Sequence, residues 1–369
     1  MPEERKRARE LGAEIGMLPP GPKNSITDVA GVRVGHTTLS FNDERGVAQT
    51  GTTAIWPADG DLVREPVPAG TFVLNGFGEV TGQATVDEWG VAATPIVLTA
   101  TMSVGVGYQA IQKYMCAQDP ELGAEELVIP LVGECDDSFL NDSRAFHLTE
   151  EHVFAALDNA SDAPVEEGCV GAGTGMQCFE FKGGIGSASR KLSDANGGFM
   201  VGVLAQTNLG TRQLLTIDGV PVGRYMTDLM PEGRPAKYWG VSGEGGSCIV
   251  VVATDAPLTN HQCARLAKRS ALGLARVGSL AANSSGELMI AFTTANRVPV
   301  SEVLSNPIGM LNDRRIDPVY QAVIEATEEA VVNALFTANT TVGRDGNTLH
   351  AIPIDRTLEL LHEYSRLKG

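Results

Sequence analysis

The alternation of apolar and polar residues along the 369-residue chain predicts a fold rich in β-strands, with helices between them. Short apolar and β-branched runs that are bounded by glycine, proline or polar residues are typical of buried strands. Such runs occur at residues 26–38, 52–56, 70–74, 95–100, 127–132, 198–205, 248–253 and 288–292. The chain also has 42 glycines and 19 prolines, and because they lie between apolar runs, we interpret them as tight turns.

Other segments repeat their apolar residues at helical spacing, which places them on one face of a helix. These segments are residues 103–116 and 150–157, the stretch after the N-cap candidate Thr259, the stretch after Asp317 and Pro318, and the stretch after Asp355. The predicted fold class is therefore α+β, with helices packed on sheets as layers. Residues 247–369 contain too few strands for a separate core, so we expect a single domain.

Composition narrows the classes of function. The chain has 28 Lys and Arg against 45 Asp and Glu, a net charge of −17, which argues against a nucleic-acid partner. It contains no uninterrupted apolar stretch of about 20 residues, which argues against a membrane partner. The six cysteines lack CxxC pairs and the six histidines lack paired spacing, so neither a metal nor a cofactor is expected. Reduced cysteines and an N-terminus without the apolar core of a secretory signal favour a cytoplasmic protein.

The most informative stretch begins with the glycine-rich residues 243–246, passes through Ser247 and continues into the β-branched run 248–253. Because glycine has no Cβ, a neighbouring nucleophile can approach the Gly246 carbonyl closely. Attack by Ser247 Oγ would move the acyl group from nitrogen to oxygen, and hydrolysis would free a new N-terminus. That serine would carry its own base, an α-amine with a reference pKa of about 7.7–8.0. The pattern favours a self-processing N-terminal nucleophile, with an ordinary loop-to-strand junction as the alternative.

Ser285 and Glu287 lie two residues apart where another apolar strand begins. On an extended backbone their side chains project to the same face. A hydroxyl beside a carboxylate can hold the proton of a nucleophile or orient its amine. The alternative is a polar turn that only caps the strand.

Two further strand ends carry polar candidates. Asn208 lies at the end of the strand-like stretch 202–210 and could donate its amide N–H to an oxyanion, although Asn near Gly is also a common turn former. Glu134 follows the run 127–132 and could pair with a substrate ammonium. Four acids stand in nine residues here, so a solvated loop is the alternative.

Three glycine-rich segments imitate nucleotide-binding loops. Gly105 and Gly107 open a helix after a strand, but no second βαβ half follows. The clusters at 171–175 and 183–186 are not followed by Gly-Lys-Ser/Thr, so we interpret them as turns of a hairpin.

Taken in order, these motifs resemble a known family, the self-processing serine N-terminal-nucleophile aminopeptidases. This family includes the L-aminopeptidase/D-amidase-esterases and the β-peptidyl aminopeptidases. The resemblance covers nearly the whole chain and is specific because several long motifs occur in the right order. They are residues 26–36, 75–79, 171–190, 208–210, 245–247, 285–287 and 325–330.

The resemblance implies an αββα sandwich, like that of ornithine acetyltransferases, cleaved between Gly246 and Ser247 into an α chain of residues 1–246 and a β chain of residues 247–369. It implies Ser247 as nucleophile, Ser285 and Glu287 as its supporting pair, and Asn208 in the oxyanion hole. It also implies a homotetramer of αβ units.

The implied activity is hydrolysis of short peptides, amides or esters with a free amine, and Glu134 matches the acid that holds this amine. Phe139 stands where some relatives carry a tyrosine with a proposed catalytic hydroxyl, so we expect it at the substrate site without that hydroxyl. Cys248, directly after Ser247, offers a rival thiol. Two other functions fit the same resemblance: an acyltransferase of the ornithine acetyltransferase type, although those enzymes cleave before threonine, and an unprocessed binding protein without activity.

Overall fold

Two β-sheets stacked face to face form the centre of the molecule. The structure is a computed structural model, and it describes residues 5–233, 237–238, 241–242, 246–301 and 303–367. In chain order, the described strands are β1 (Arg33–Asp43), β2 (Gly46–Trp56), β3 (Val67–Gly76), β4 (Val91–Ala92), β5 (Ile96–Ala100), β6 (Leu131–Cys135), β7 (Gln177–Cys178), β8 (Phe181–Lys182), β9 (Ile185–Lys191), β10 (Met200–Asn208), β11 (Lys237–Tyr238), β12 (Val241–Ser242), β13 (Gly246–Thr254), β14 (Ser285–Thr293), β15 (Thr341–Val342) and β16 (Thr348–Leu349). The described helices are α1 (Gln83–Trp89), α2 (Val104–Gln118), α3 (Glu150–Asp158), α4 (Asn260–Arg276), α5 (Asp317–Thr337) and α6 (Ile354–Glu363).

The smaller main sheet has the strand order β1-β2-β5-β6, and the larger has the order β4-β3-β14-β13-β10-β9. Strands β13 and β14 run parallel to each other, while their outer neighbours β10 and β3 run antiparallel to them. The beginnings of β13 and β14 therefore meet the ends of β10 and β3 at one edge of the larger sheet. This edge brings together residues that are far apart in sequence.

Three apolar cores separate four layers. One core fills the space between the two sheets and includes Leu98, Ile249 and Ile290. A second packs α4 and α5 on the outer face of the larger sheet. A third packs α2 and α3 on the outer face of the smaller sheet. This order of helix, sheet, sheet and helix is the predicted αββα sandwich, which confirms the expected fold class.

The glycine clusters at 171–175 and 183–186 lie where backbone segments touch. A side-chain carbon added at Gly186 would lie 1.8 Å from the carbonyl oxygen of Ala330, so only glycine allows α5 to pack directly on β9. A carbon added at Gly184 would lie 1.9 Å from the carbonyl oxygen of Gly168. These glycines are therefore needed for close packing. The expectation that they form the turns of a hairpin is wrong, because they flank the short β7–β8 hairpin, whose turn is made by Phe179 and Glu180.

The structure differs from the sequence-based expectation mainly at element boundaries. Residues 26–28 form a 3₁₀ turn, not the start of a strand, because Ser25 and Asp28 make a reciprocal capping box there. Strand β9 and helix α1 had no clear sequence signal. The N-cap prediction at Thr259 is confirmed, since its side chain accepts the backbone N–H of Gln262. Within the described ranges, no helix is long and apolar enough to span a bilayer.

Candidate active site

The candidate nucleophile Ser247 is the second residue of β13, at the edge where four strand ends meet. In the sheet register Ser247 lies opposite Asn208 of β10 and Gly286 of β14, and Gly246 lies opposite Ser285. The side chain of Ser247 is buried, with 4% of its surface exposed. The strand ladder thus brings three of the residues singled out from the sequence to adjacent positions around one serine.

Alternation along β13 determines which way each side chain points. Ile249 and Val251 pack between the two sheets, whereas Cys248 and Val250 pack against the helices. Ser247 therefore faces the space between the sheets. The thiol of Cys248 lies on the opposite face, and burial raises its pKa well above the usual value. Cys248 is consequently a poor rival for the role of nucleophile.

The side-chain amide of Asn208 is directed at Ser247. Its Nδ2 lies 3.4 Å from Ser247 Oγ, while its Oδ1 accepts the backbone N–H of Gln177 at 3.1 Å. Because a backbone N–H can only donate, the amide oxygen must face Gln177 and the NH₂ group must face the serine. Sequence reasoning missed this support from β7, since a two-residue strand leaves no periodic signal.

Ser285 and Glu287 form a hydrogen-bonded pair, in which the serine hydroxyl donates to Glu287 Oε1. Burial raises the pKa of Glu287, and its Oε2 finds no hydrogen-bond donor among the described residues. Asn75 holds the turn before Ser285, because its Nδ2 donates to the carbonyl oxygens of Ala282, at 2.6 Å, and of Ser285. The pair is therefore fixed in place, and Glu287 Oε2 can accept a hydrogen bond from another donor.

This pair approaches the main chain at Gly246, on the face of the sheet opposite to the Ser247 hydroxyl. Residues two apart on β14 point to the same face of the sheet, so Ser285 and Glu287 share a face with Met289 and Ala291. Met289 and Ala291 pack against the helices. A side-chain carbon added at Gly246 would lie 3.1 Å from Ser285 Oγ and 2.9 Å from the carbonyl oxygen of Asn208. A cavity of about 20 Å³ beside Gly246, Ser285 and Glu287 has room for about one water molecule.

Glu134 is buried at the end of β6, so the expectation of a solvated acidic loop is wrong for this residue. Its Oε1 accepts the backbone N–H of Glu79 at 3.0 Å, and its Oε2 accepts the hydroxyl of Thr101. Burial raises its pKa even though both hydrogen bonds act in the other direction. A carboxylate that has lost water in this way gains most from an ammonium partner.

Gly78 lies between Glu134 and the strand edge that carries Ser247. A side-chain carbon added at Gly78 would lie 3.2 Å from Glu134 Oε1 and 3.5 Å from the Cα of Gly286. Gly286 lies opposite Ser247 in the sheet. The structure thus brings Glu134 near the candidate nucleophile through residues of a different loop, and Thr101 and Gly78 are contacts that the strand-end pattern did not predict.

The loop after Glu134 is anchored by a second buried acid. Asp137 has 1% of its surface exposed, and its Oδ1 accepts the amide of Asn141 at 3.0 Å and the hydroxyl of Ser143 at 3.1 Å. Burial raises the pKa of Asp137 to about 7. Phe139 in the same loop is half-buried, and its carbonyl oxygen accepts the amide of Asn347 at 2.8 Å. A role for the Phe139 ring at the substrate site stays a prediction.

Cys135 is a neighbour of Ser247 that sequence reasoning missed. Its thiol is fully buried between the sheets, lies 3.7 Å from the carbonyl oxygen of Gln206 and is close enough to Ser247 to affect its own ionisation. Burial raises the pKa of this thiol well above its usual value, so it stays protonated. Among the residues that the structure describes, no group of His, Cys, Asp and Glu is arranged to hold a metal ion.

Comparisons with known proteins agree with this arrangement. The model of peptidase family S58 matches residues 24–349. The β-peptidyl aminopeptidase BapA of Sphingosinicella microcystinivorans is 41% identical over 378 residues, which cover 99% of this chain and 94% of that protein. A solved β-aminopeptidase from a Burkholderia species is 40% identical with a TM-score of 0.89, over 97% of this chain and 99% of that one. The L-aminopeptidase D-Ala-esterase/amidase of Ochrobactrum anthropi, a serine aminopeptidase with a variant of the Ntn hydrolase fold, is 38% identical with a TM-score of 0.89, over 99% and 100% of the two chains.

Proposed function

Because the chain belongs to peptidase family S58 and is a serine aminopeptidase of the N-terminal-nucleophile type, we propose that Ser247 becomes its nucleophile after cleavage of the Gly246–Ser247 bond. The cleavage would yield an α chain of residues 1–246 and a β chain of residues 247–369. The observation that carries this proposal is the convergence of Asn208, Ser285 and Ser247 at one edge of the larger sheet.

The first step is self-cleavage. Ser247 Oγ attacks the carbonyl carbon of Gly246, its hydroxyl proton passes to the departing nitrogen, the peptide C–N bond breaks, and the acyl group remains on the oxygen as an ester. Water then hydrolyses this ester and leaves a carboxylate on Gly246 and a free α-amine on Ser247. The close approach of Ser285 to Gly246 supports this step, and the neighbouring cavity has room for one water.

The mature enzyme repeats this chemistry on a substrate. Ser247 Oγ attacks the substrate carbonyl and its proton passes to the Ser247 α-amine, which acts as the general base. Asn208 Nδ2 stabilises the oxyanion, and the leaving amine departs with a proton from the α-amine. Water releases the acyl group in a second cycle of the same groups. Ser285 and Glu287 orient the α-amine, because they lie beside the main chain at this position and not beside the hydroxyl.

The substrates are short peptides, amides or esters with a free N-terminal amine, and Glu134 binds this amine. The support is a buried carboxylate close to the edge that carries Ser247. Among its relatives are proteins named for β-peptidyl, L-amino acid and D-Ala substrates, so amides of all three kinds belong in the assay. Family membership also favours hydrolysis over the acyltransferase and the inactive binding protein.

We also propose that the enzyme is a cytoplasmic homotetramer of αβ units with neither nucleic-acid nor membrane partners. The tetramer rests on the family resemblance. The compartment is supported by six cysteines that are all unpaired, as is usual for proteins of a reducing compartment. Native mass spectrometry of the purified enzyme measures the number of αβ units directly.

Two serine variants test the proposed nucleophile. Ser247→Ala should give a single uncut chain on a denaturing gel and no turnover of aminoacyl p-nitroanilides. Ser270→Ala is the matched control, since Ser270 is fully buried in α4 and packs away from the strand edge. It should be cut and active like the parent protein. Normal cleavage and turnover in Ser247→Ala would refute the assignment.

A further inference from the structure

A second cavity lies on the helical face of the larger sheet. It has a volume of about 510 Å³ and is formed where the N-terminal segment, the loop around Asp218, the end of α4, the middle of α5 and the chain after α6 meet. Its charged lining residues are Glu14, Asp218, Arg276, Glu328 and Arg366. Ligand-binding cavities for small molecules usually measure about 300–1,000 Å³, so this one is large enough for an amino acid.

This cavity is separate from the candidate active site. The described residues that line it include none of those beside Gly246, Ser285 and Glu287. The roles assigned above to Ser247 and its neighbours therefore leave the charges of this second cavity without a function.

Acidic and basic side chains face the cavity as two ion pairs. Arg276 lies 3.2 Å from Glu328, and Arg366 lies 3.7 Å from Asp218. The side chains of Arg276 and Arg366 are about half exposed, at 49% and 54%, so their guanidinium groups are accessible to a ligand. Neither contact is a hydrogen bond, whereas a fork of N–H donors on a carboxylate is the strong arrangement.

Glu328 is the buried member of one of these pairs. Only 3% of this residue is exposed, and its Oε2 lies 3.2 Å from Arg276 Nη1 without a hydrogen bond of good geometry from the described residues. Burial raises the pKa of this carboxyl to about 7. A buried carboxylate oxygen without a hydrogen bond is costly, and an ammonium donor would remove this cost.

We propose that this cavity binds a free amino acid as a zwitterion, with its ammonium on Glu328 and Asp218 and its carboxylate on Arg276 and Arg366. Both charged ends of the ligand then find opposite charges, while the ion pairs across the cavity are replaced by hydrogen-bonded ones. A simple cation would satisfy only the acids, and a simple anion only the arginines. A free amino acid is also the class of product that an aminopeptidase releases, but the binding itself requires no catalysis.

Isothermal titration calorimetry of the purified enzyme with L-leucine tests the proposal. We expect saturable binding at millimolar concentrations, and about ten- to hundredfold weaker binding in Glu328→Gln, since a hydrogen bond to a charged group contributes about 1.5–3 kcal/mol. Arg366→Gln should weaken binding similarly. It is a second variant because the half-exposed Arg366 can be replaced without disturbing the core. L-Leucinamide and N-acetyl-L-leucine each lack one charge and are titrated into the Ser247→Ala protein, which should not hydrolyse the amide. Both should bind about tenfold more weakly than L-leucine does to the same protein.

The control separates this site from the active site. Glu134→Gln removes the proposed amine partner near Ser247, and it should leave the binding of L-leucine to the second cavity intact. The uncut Ser247→Ala protein should also bind L-leucine, so failure of the proposed catalytic mechanism would leave this result unchanged. The proposal is refuted if L-leucine does not bind, if both cavity variants bind it as the parent does, or if Glu134→Gln abolishes binding.

Discussion

Replacement of Asn208 by alanine tests the geometry around the nucleophile most sharply. In the resting structure Asn208 Nδ2 lies 3.4 Å from Ser247 Oγ, which is long for a hydrogen bond. The amide is nevertheless held in orientation by the backbone N–H of Gln177. A donor that is oriented but weakly engaged in the ground state forms its strong bond only when an oxyanion develops.

The magnitude follows from this difference between the two states. Removal of one oxyanion-hole donor costs about 2.7–4 kcal/mol, and each 1.36 kcal/mol corresponds to a factor of about ten in rate. We therefore expect Asn208→Ala to lower kcat by about 100- to 1,000-fold and to leave KM nearly unchanged. The free energy of unfolding should fall by only about 0.5–1.5 kcal/mol, because one hydrogen bond to Gln177 is lost.

The assay is steady-state hydrolysis of an aminoacyl p-nitroanilide by protein whose cleavage has been verified by mass spectrometry. The control is Asn296→Ala, which removes another buried amide, one that donates to the carbonyl oxygens of Leu258 and Gly309. It should lose stability and keep kcat. The oxyanion role is wrong if Asn208→Ala keeps a kcat within about threefold of the parent value, or if the variant differs from the parent only in a raised KM.

Three further predictions concern single residues. Glu134→Gln should raise KM for substrates with a free amine and leave KM for amine-blocked substrates unchanged. In the parent enzyme, KM should fall as the pH rises through the raised pKa of Glu134, because only the carboxylate pairs with an ammonium group. This pH dependence of KM should be absent in the variant. Gly246→Ala should slow self-cleavage, since the added carbon would lie 2.9 Å from the carbonyl oxygen of Asn208, and a time course on denaturing gels that matches the parent would contradict this. Gly186→Ala should lower the free energy of unfolding by about 1–3 kcal/mol or more, because its new carbon meets the carbonyl oxygen of Ala330 at 1.8 Å, and unchanged thermal unfolding would contradict the packing of α5 on β9.

Long periodic elements were predictable from the sequence because their signal is local. Helix α4 shows this well, since its N-cap Thr259 and its apolar stripe are both visible in the sequence. Strand β9 was not predicted, because Gly184 and Gly186 suggest a turn when they are considered alone. They are glycines because other backbone segments press against them, which only the folded chain reveals.

The candidate site divides in the same way. The spacing of Ser285 and Glu287 on a strand was enough to place their side chains on one face, and the structure joins them by a hydrogen bond. The burial of Glu134 could not be derived from its acidic surroundings, because it depends on Thr101 and on the backbone of Glu79, which lie elsewhere in the chain. Likewise, the orientation of Asn208 depends on a sheet register that no local pattern encodes.

The central claim is that the chain cuts itself before Ser247, and N-terminal sequencing of purified, active enzyme tests it most directly. The account predicts two polypeptides, one of which begins Ser-Cys-Ile-Val-Val. Full activity in material that contains only the uncut chain, or a second polypeptide that begins at another residue, would contradict it.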